Sequence, residues 1–201
     1  QSNVSVHNAR EFDAALEKVG LRIELLVQRK HSGRDLSLQL EVLRNGQLRQ
    51  RFPTVQHTRD GVHEGNDSFA VDDRVWQLFE PLTLAMAREG FRGPFGLDIF
   101  KTDCGRHLLL EVNARKTAAT YFGAIAAHLG FSRWSARNVE GCNRNFKTAD
   151  VADLLFQPSK GWGIAIVNWA FAYGKTSVVA LGPDKKEQIR TFAVRVGGHV
   201  P

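Results

Sequence analysis

The sequence predicts an α+β fold, an antiparallel sheet with flanking helices, and three observations lead there. Two apolar, strand-like runs, residues 95–101 and 107–113, are joined by a short polar link that contains Asp103 and Gly105. A second pair of runs meets at Asn45-Gly46, a strong hairpin signal. Around these pairs lie segments whose apolar residues recur at helical spacing.

Taken in order, residues 8–19 (NAREFDAALEKV) read as an amphipathic helix, with Asn8 as cap, Glu11 three residues on, and Phe12, Leu16 and Val19 on one face. Gly20 is its stop. Residues 23–27 and 36–43 read as strands, and residues 47–55 return after the Asn45-Gly46 turn. Residues 56–66 (QHTRDGVHEGN) are polar, carry two glycines and hold few strand formers, so they read as a loop. His57 and His63 there belong either to a generic loop or to a substrate contact; no third nitrogen or sulfur ligand is near enough in sequence for zinc. Residues 72–89 form a helix that Pro81 should kink or divide, with Val75, Leu78, Phe79, Leu82, Ala85 and Met86 as its core face.

After the 95–113 hairpin, residues 121–129 read as a short helix and residues 133–149 as a polar stretch rich in Asn and Arg. Apolar runs at 164–172 and 176–181 then flank Tyr173-Gly174-Lys175, and residues 184–196 form a helix capped by its own Asp184. Trp162 and Trp169 read as packing residues. Gly174-Lys175-Thr176-Ser177 mimics the end of a phosphate-binding loop, but Trp169 stands where its first glycine is required. The expected division is residues 1–140 and a small appended α/β subdomain over 141–201.

Composition narrows the function. Lys and Arg total 27 against 21 Asp and Glu, a formal charge of +6, yet the basic residues form no block and lack interleaved aromatics, so nucleic acid is not the expected partner. No apolar run approaches the ~18 residues of a membrane span, and two cysteines make no disulfide framework. The cytoplasm is the default compartment, and oligomeric state is not legible. The chain starts at Gln1 without an initiator Met, and part of the protein is expected to precede it.

The 95–113 hairpin carries the chemistry. With a register symmetric about the turn, Asp98 lies opposite Glu111. Gly96, Asp98 and Phe100 then share a face with Leu109, Glu111 and Asn113, while Phe95, Leu97, Ile99, Leu108, Leu110 and Val112 fill the core face. Directly opposed carboxylates weaken a hairpin and are costly to desolvate without a partner. A divalent cation supplies one, and two carboxylates with an amide suit Mg²⁺ or Mn²⁺. The alternative is a solvent-facing hairpin with incidental acids.

The string GLDIF, thirteen positions from Asp98 to Glu111, then EVNAR resembles the closing hairpin of ATP-grasp enzymes. The resemblance implies that Asp98, Glu111 and Asn113 hold the Mg²⁺ that bridges ATP phosphates, and that Arg115, with Lys116, faces an acyl-phosphate. Residues 25–39 (LLVQRKHSGRDLSLQ) resemble the family's hinge strand and turn. That match implies adenine contact near Gln28, Arg29 and Lys30, ribose contact at Asp35 and Leu109 on the nucleotide side. Gln28 and Arg29 stand where many members have acids, and Asp35 replaces a longer Glu. Residues 164–196 resemble the tail of pheganomycin-type peptide ligases. The implied whole is the C-terminal half of an ATP- and Mg²⁺-dependent carboxylate–amine ligase. It would join small carboxylate and amine or peptide substrates, with His63 as a substrate contact and a preceding region of the same protein completing the site. The alternative is a degenerate nucleotide-binding or scaffolding module of the same family.

Overall fold

The computed structural model describes residues 6–19, 27–59 and 61–201. In chain order the elements are α1 (Ala9–Val19), β1 (Gly33–Val42), β2 (Leu48–Arg59), β3 (Val62–Ser68), α2 (Asp73–Arg88), β4 (Gly93–Thr102), β5 (His107–Asn113), α3 (Ala118–His128), β6 (Trp134–Glu140), β7 (Gly163–Ala170), β8 (Lys175–Leu181) and α4 (Lys185–Arg195). The strands form one eight-stranded antiparallel sheet in the order β5-β4-β1-β2-β3-β6-β8-β7.

β1 organises the first half. Its alternation sends Leu36, Leu38, Leu40 and Val42 to one face, where they are buried with Phe95, Leu97 and Ile99 of β4. α2 covers this face. The Asp72 side chain caps α2 by accepting from the Arg74 N–H at 2.9 Å, and the helix runs on past Pro81 without dividing. The stripe in contact with the sheet follows the i, i+4 row Val75, Phe79, Thr83 and Ala87. Leu78 and Ala85, expected in the core, therefore face solvent.

Pairing registers fix which helices share a face. Ser37 pairs with Thr54, Gln56 with Asn66, Asn66 with Ala136, and Ala136 with Val179, so these side chains project to one side of the sheet. α3 packs on that side, with Phe122 and Ala126 against Trp134, Ala136, Val179 and Leu181. α4 packs on the other, the side of α2, with Ile189, Phe192 and Ala193 against Val139, Val178 and Ala180.

The β3–β6 seam that joins the halves is short: Gly65 pairs with Arg137, Asn66 with Ala136 and Asp67 with Ser135. A Cβ at Gly65 would lie 2.1 Å from the Ala136 carbonyl oxygen, so only glycine admits this approach. An ion pair closes the seam, with Arg137 Nη1 donating to Asp67 Oδ1 at 2.7 Å and only 12% and 24% of the two side chains exposed. His57 Nε2 lies 2.9 Å from Asp67 Oδ2.

Several expectations are corrected. Residues 56–59 and 62–66 are not loop but the end of β2 and most of β3; Gln56, His63 and Asn66 face the α3 side of the sheet, His57 sits in the Arg137 cluster and Arg59 pairs with Glu64, partners that composition alone reads as solvent exposure. The polar stretch 133–149 likewise contains β6, whose Trp134 and Ala136 pack under α3. β5 is one of the sheet's two edge strands, so Leu110 and Val112 are 56% and 36% exposed rather than core. Asp184 occupies the cap position of α4 in a left-handed conformation (φ 49°) but its side chain makes no cap hydrogen bond. Trp169 is half exposed, edge-on to Phe171 at 4.7 Å between ring centroids. Asn8 caps α1 as expected, accepting from the Glu11 N–H at 2.9 Å, and Glu11 accepts from the His7 N–H at 2.9 Å. Of the expected strand 23–27, residues 23–26 lie outside the described residues, as does Gly20, and Val27 belongs to no strand.

Two predictions concern the seam. Gly65→Ala forces the Ala136 carbonyl away and should cost about 1–3 kcal/mol in urea or thermal unfolding. Burial pushes the Asp67 carboxyl up, but His57 and Arg137 outweigh it and hold it far below the usual carboxylate range. A carboxyl held lower in the folded than in the unfolded chain stabilises the fold above its unfolded value of ~3.9, and that contribution is lost as pH falls through the folded value. Asp67→Asn should therefore lower stability at pH 7 and flatten the decline of stability below about pH 4, read as melting temperature against pH.

Candidate active site

A row of polar side chains crosses the α3 face of the sheet. Ser37 of β1 pairs with Asp98 of β4, and Asp98 pairs with Glu111 of β5, so the two carboxylates and the hydroxyl stand abreast on three adjacent strands. In the next row Gln39 pairs with Gly96, and Gly96 with Asn113. A register shift follows immediately, so that Ile99 faces Leu109 and Phe100 faces Leu108. The symmetric register thus holds through Asp98 and Glu111 and fails beyond them, where a bulge accommodates Leu110.

Asp98 is held by neutral donors. Its Oδ1 accepts from Ser37 Oγ at 2.7 Å and from Gln56 Nε2 at 2.8 Å, and its Oδ2 accepts from Asn113 Nδ2 at 2.9 Å. Burial pushes its carboxyl above the ordinary value; Ser37 pulls it back, and the charge of Glu111 adds to the rise. Asn113 is buried and spends its amide nitrogen on Asp98, which leaves its oxygen for a cation. Two carboxylates and an amide oxygen, on one face with no cationic donor to Asp98 among these bonds, are the donor set that a hard divalent cation requires, so the residues fit Mg²⁺.

A buried chain of hydrogen bonds supports this row. Gln39 Nε2 donates to Ser37 Oγ at 2.9 Å, and Gln39 Oε1 accepts from Thr117 Oγ1 at 2.9 Å and from Thr120 Oγ1 at 2.7 Å. Thr117 is the cap of α3, in a reciprocal capping arrangement with Thr120. Gly96 makes room for this junction: a Cβ there would lie 2.9 Å from Thr117 Cγ2 and 3.2 Å from Gln39 Nε2. The carboxylate row and the start of α3 are thereby one assembly. On the other flank Asn66 Nδ2 donates to Thr54 Oγ1 at 3.0 Å, which turns Asn66 Oδ1 toward His63 Nε2 at 2.6 Å, so that nitrogen carries the proton.

These groups open onto a cleft of about 270 Å³, lined by Gln56, His63, Asn66, Asp98, Glu111, Asn113, Arg115 and Thr117, with Ala118 and Ala119 of the first turn of α3. Arg115 is exposed; its Nη1 donates to the Lys116 carbonyl at 3.3 Å. Of the residues singled out from sequence, Asp98, Glu111, Asn113, Arg115 and His63 meet in this cleft. Lys116 is exposed and does not line it. Asp35 lies on β1 two residues from Ser37 and so on the same face, and its Oδ2 accepts from Thr58 Oγ1 at 2.7 Å. Gln28, Arg29 and Lys30 are exposed ahead of β1, and Leu109, expected on the face of Asp98 and Glu111, pairs instead with Ile99 on the α2 side, 42% exposed, because the bulge at Leu110 reverses it. The sequence reading missed Ser37, Gln39, Gln56, Asn66 and Thr117. The regular alternation of Leu with Ser37 and Gln39 was the available signal, because a polar residue at every second position of a central strand must meet a polar partner.

No protein-family model matches the sequence, and neither does any curated protein. Solved structures do match. N5-carboxyaminoimidazole synthetase from Staphylococcus aureus, complexed with ADP, superposes with a TM-score of 0.65 over 96% of this chain and 58% of its own, at 14% identity. The N5-carboxyaminoimidazole synthase from Aspergillus clavatus, in complex with ADP and 5-aminoimidazole ribonucleotide, gives 0.65 over 96% and 59%, at 13% identity. Biotin carboxylase from Campylobacter jejuni, as its βγ-ATP complex, gives 0.59 over 84% and 46%, at 9% identity. The chain thus spans less than two thirds of the length of these three proteins, and its fold is that of the C-terminal half of ATP-grasp enzymes.

Proposed function

We propose that the chain is the metal- and phosphate-binding half of an ATP-dependent ligase that couples a carboxylate to an amine. The observation that carries this reading is the opposition of Asp98 and Glu111, with Asn113 beside them, on the floor of a cleft whose rim holds Arg115 and the first turn of α3. Asp98, Glu111 and the Asn113 oxygen would hold Mg²⁺, which when bound neutralises phosphate charge during phosphoryl transfer. In this reading a substrate carboxylate oxygen attacks the γ-phosphorus of ATP and ADP leaves, giving an acyl-phosphate. An amine then attacks the acyl carbon, loses a proton, and inorganic phosphate departs as the amide forms. Arg115 stabilises the oxyanion and the phosphate, and His63, whose Nε2 donates to Asn66 Oδ1, contacts the substrate. Gln28, Arg29 and Lys30 serve adenine, and Asp35 the ribose. A preceding region of the whole protein completes the nucleotide cleft.

The finer assignment, a peptide ligase of the pheganomycin type, is supported by the order of the C-terminal elements: β7, Tyr173-Gly174-Lys175, β8 ending at Leu181-Gly182, then α4. In that assignment residues 141–201 are the appended subdomain, docked on residues 1–140 through the β6–β8 ladder. Among the described residues no helix is long and apolar enough to cross a membrane.

The reading is tested in the whole protein by carboxylate- and amine-dependent release of phosphate from ATP. Asp98→Asn and Glu111→Gln should each lower turnover by about 10²-fold or more while far-UV circular dichroism is retained; wild-type turnover in either variant sinks the assignment. A second prediction uses stability. Because the folded chain holds the Asp98 carboxyl above its ordinary value, ionising it costs stability as pH rises through that value. Without metal, Asp98→Asn should therefore melt at a higher temperature than wild type at pH 7. Mg²⁺ at about a hundred times its dissociation constant should raise the wild-type melting temperature by roughly 5–10 °C and leave Asp98→Asn unmoved.

A further inference from the structure

A second cleft, of about 550 Å³, lies on the opposite side of the sheet. Consecutive residues point to the two clefts: Gln56 lines the carboxylate site and His57 the second cleft. His57 of β2 and Arg137 of β6 form the floor, α4 forms one wall with Lys186, Ile189, Arg190, Ala193 and Val194, and Gly198, His199 and Val200 form the other. Every ionisable side chain that lines it is basic or a histidine, and no carboxylate does. Three acids pair with cations of these elements: Asp67 is engaged by Arg137 and His57, Glu187 by Arg190 at 3.1 Å, and Glu140 by Lys175 at 2.9 Å.

The two kinds of wall define the ligand. Val194 and Val200 offer apolar surface over the buried Ile189 and Ala193, and Lys186, Arg190, His199 and His57 line the same cleft as Arg137. The volume falls within the ~300–1,000 Å³ range of small-molecule sites, and apolar lining with a few convergent polar groups is their usual character. A chain-like polyanion is disfavoured because the cations surround one pocket instead of tracking along a groove. Several cationic groups without a lining carboxylate suit a dianion better than a single carboxylate.

We propose that this cleft binds a small organic phosphate, with the phosphate between Lys186, Arg190 and His199 and its apolar body against Val194 and Val200. The site is separate from the carboxylate row, and its occupation does not depend on the ligase reading.

The test is calorimetric titration of the full 201-residue chain with phenyl phosphate, inorganic phosphate, benzoate and benzyl alcohol, with amide chemical-shift mapping. Phenyl phosphate should bind more tightly than inorganic phosphate or benzoate, benzyl alcohol should not bind, and shifts should centre on α4 and residues 198–200. The double variant Lys186→Ala, Arg190→Ala changes two exposed side chains, so its fold should persist, and it should weaken phenyl phosphate by about tenfold or more. Arg115→Ala, in the other cleft, and Arg44→Ala, a remote surface cation, should leave the affinity unchanged. Equal loss in Arg44→Ala would reveal general electrostatics, loss in Arg115→Ala would place the phosphate in the carboxylate site, and tighter benzoate would make the ligand a carboxylate. Each of these outcomes, like absence of binding at millimolar phenyl phosphate, overturns the proposal.

Discussion

The pairing of β1 with β4 is the constraint on which the rest depends. Ten residue pairs run from Gly33 opposite Thr102 to Val42 opposite Gly93 without a shift. Because side chains alternate, one unbroken register settles both faces at once. It stacks Leu36, Leu38 and Leu40 with Phe95, Leu97 and Ile99 under α2, and it stands Ser37 beside Asp98 on the reverse. A slip of one residue would bury the carboxylate beneath α2 and expose the leucines. The apolar core therefore positions the chemistry, since the energy that fixes the register comes from the face that carries none.

The polar face pays a cost that the apolar face offsets. Asp98 is desolvated and stands opposite another acid, and its neutral donors compensate only in part. Strain of this kind persists where the surroundings hold it and where a ligand can relieve it. Gln39 extends the arrangement, because its amide joins Ser37 below to Thr117 and Thr120 at the start of α3. The cap of α3, the Arg115-Lys116 segment leading into it and the carboxylate row are thus tied through one buried side chain, which sets the cleft's two walls relative to each other.

The sheet's second half uses the same strands for a different purpose. At the three-pair seam, Gly65 and the Arg137–Asp67 ion pair join β3 to β6, and beside it the consecutive residues Gln56 and His57 of β2 look into opposite clefts. Neighbouring positions with opposed outlooks let one sheet carry a carboxylate-lined cleft under α3 and a basic one beside α4. The basic excess of the chain is accordingly not uniform: the carboxylate site keeps Arg115 at its rim, while Lys186, Arg190 and the two histidines gather behind the sheet.

The sequence by itself determined what local spacing encodes: the Asn45-Gly46 hairpin, the opposition of Asp98 and Glu111, the cap at Asn8, and the runs that became β7, β8 and α4. Each of these follows from turn chemistry or from periodicity within one or two neighbouring elements, whereas the Asp72 cap was seen only in the structure. Tertiary structure decided whatever depends on a distant partner. Residues 56–66 and β6 looked like loop because their polar side chains meet partners up to 80 residues away, as His57 meets Arg137. β5 looked like core because its apolar pattern carries no mark of its place at the sheet's edge. Ser37, Gln39, Gln56 and Asn66 became site residues only when three strands and the cap of α3 were brought around Asp98. Local sequence sets which way a side chain points along its own strand, and only the order of strands in the sheet decides what waits there.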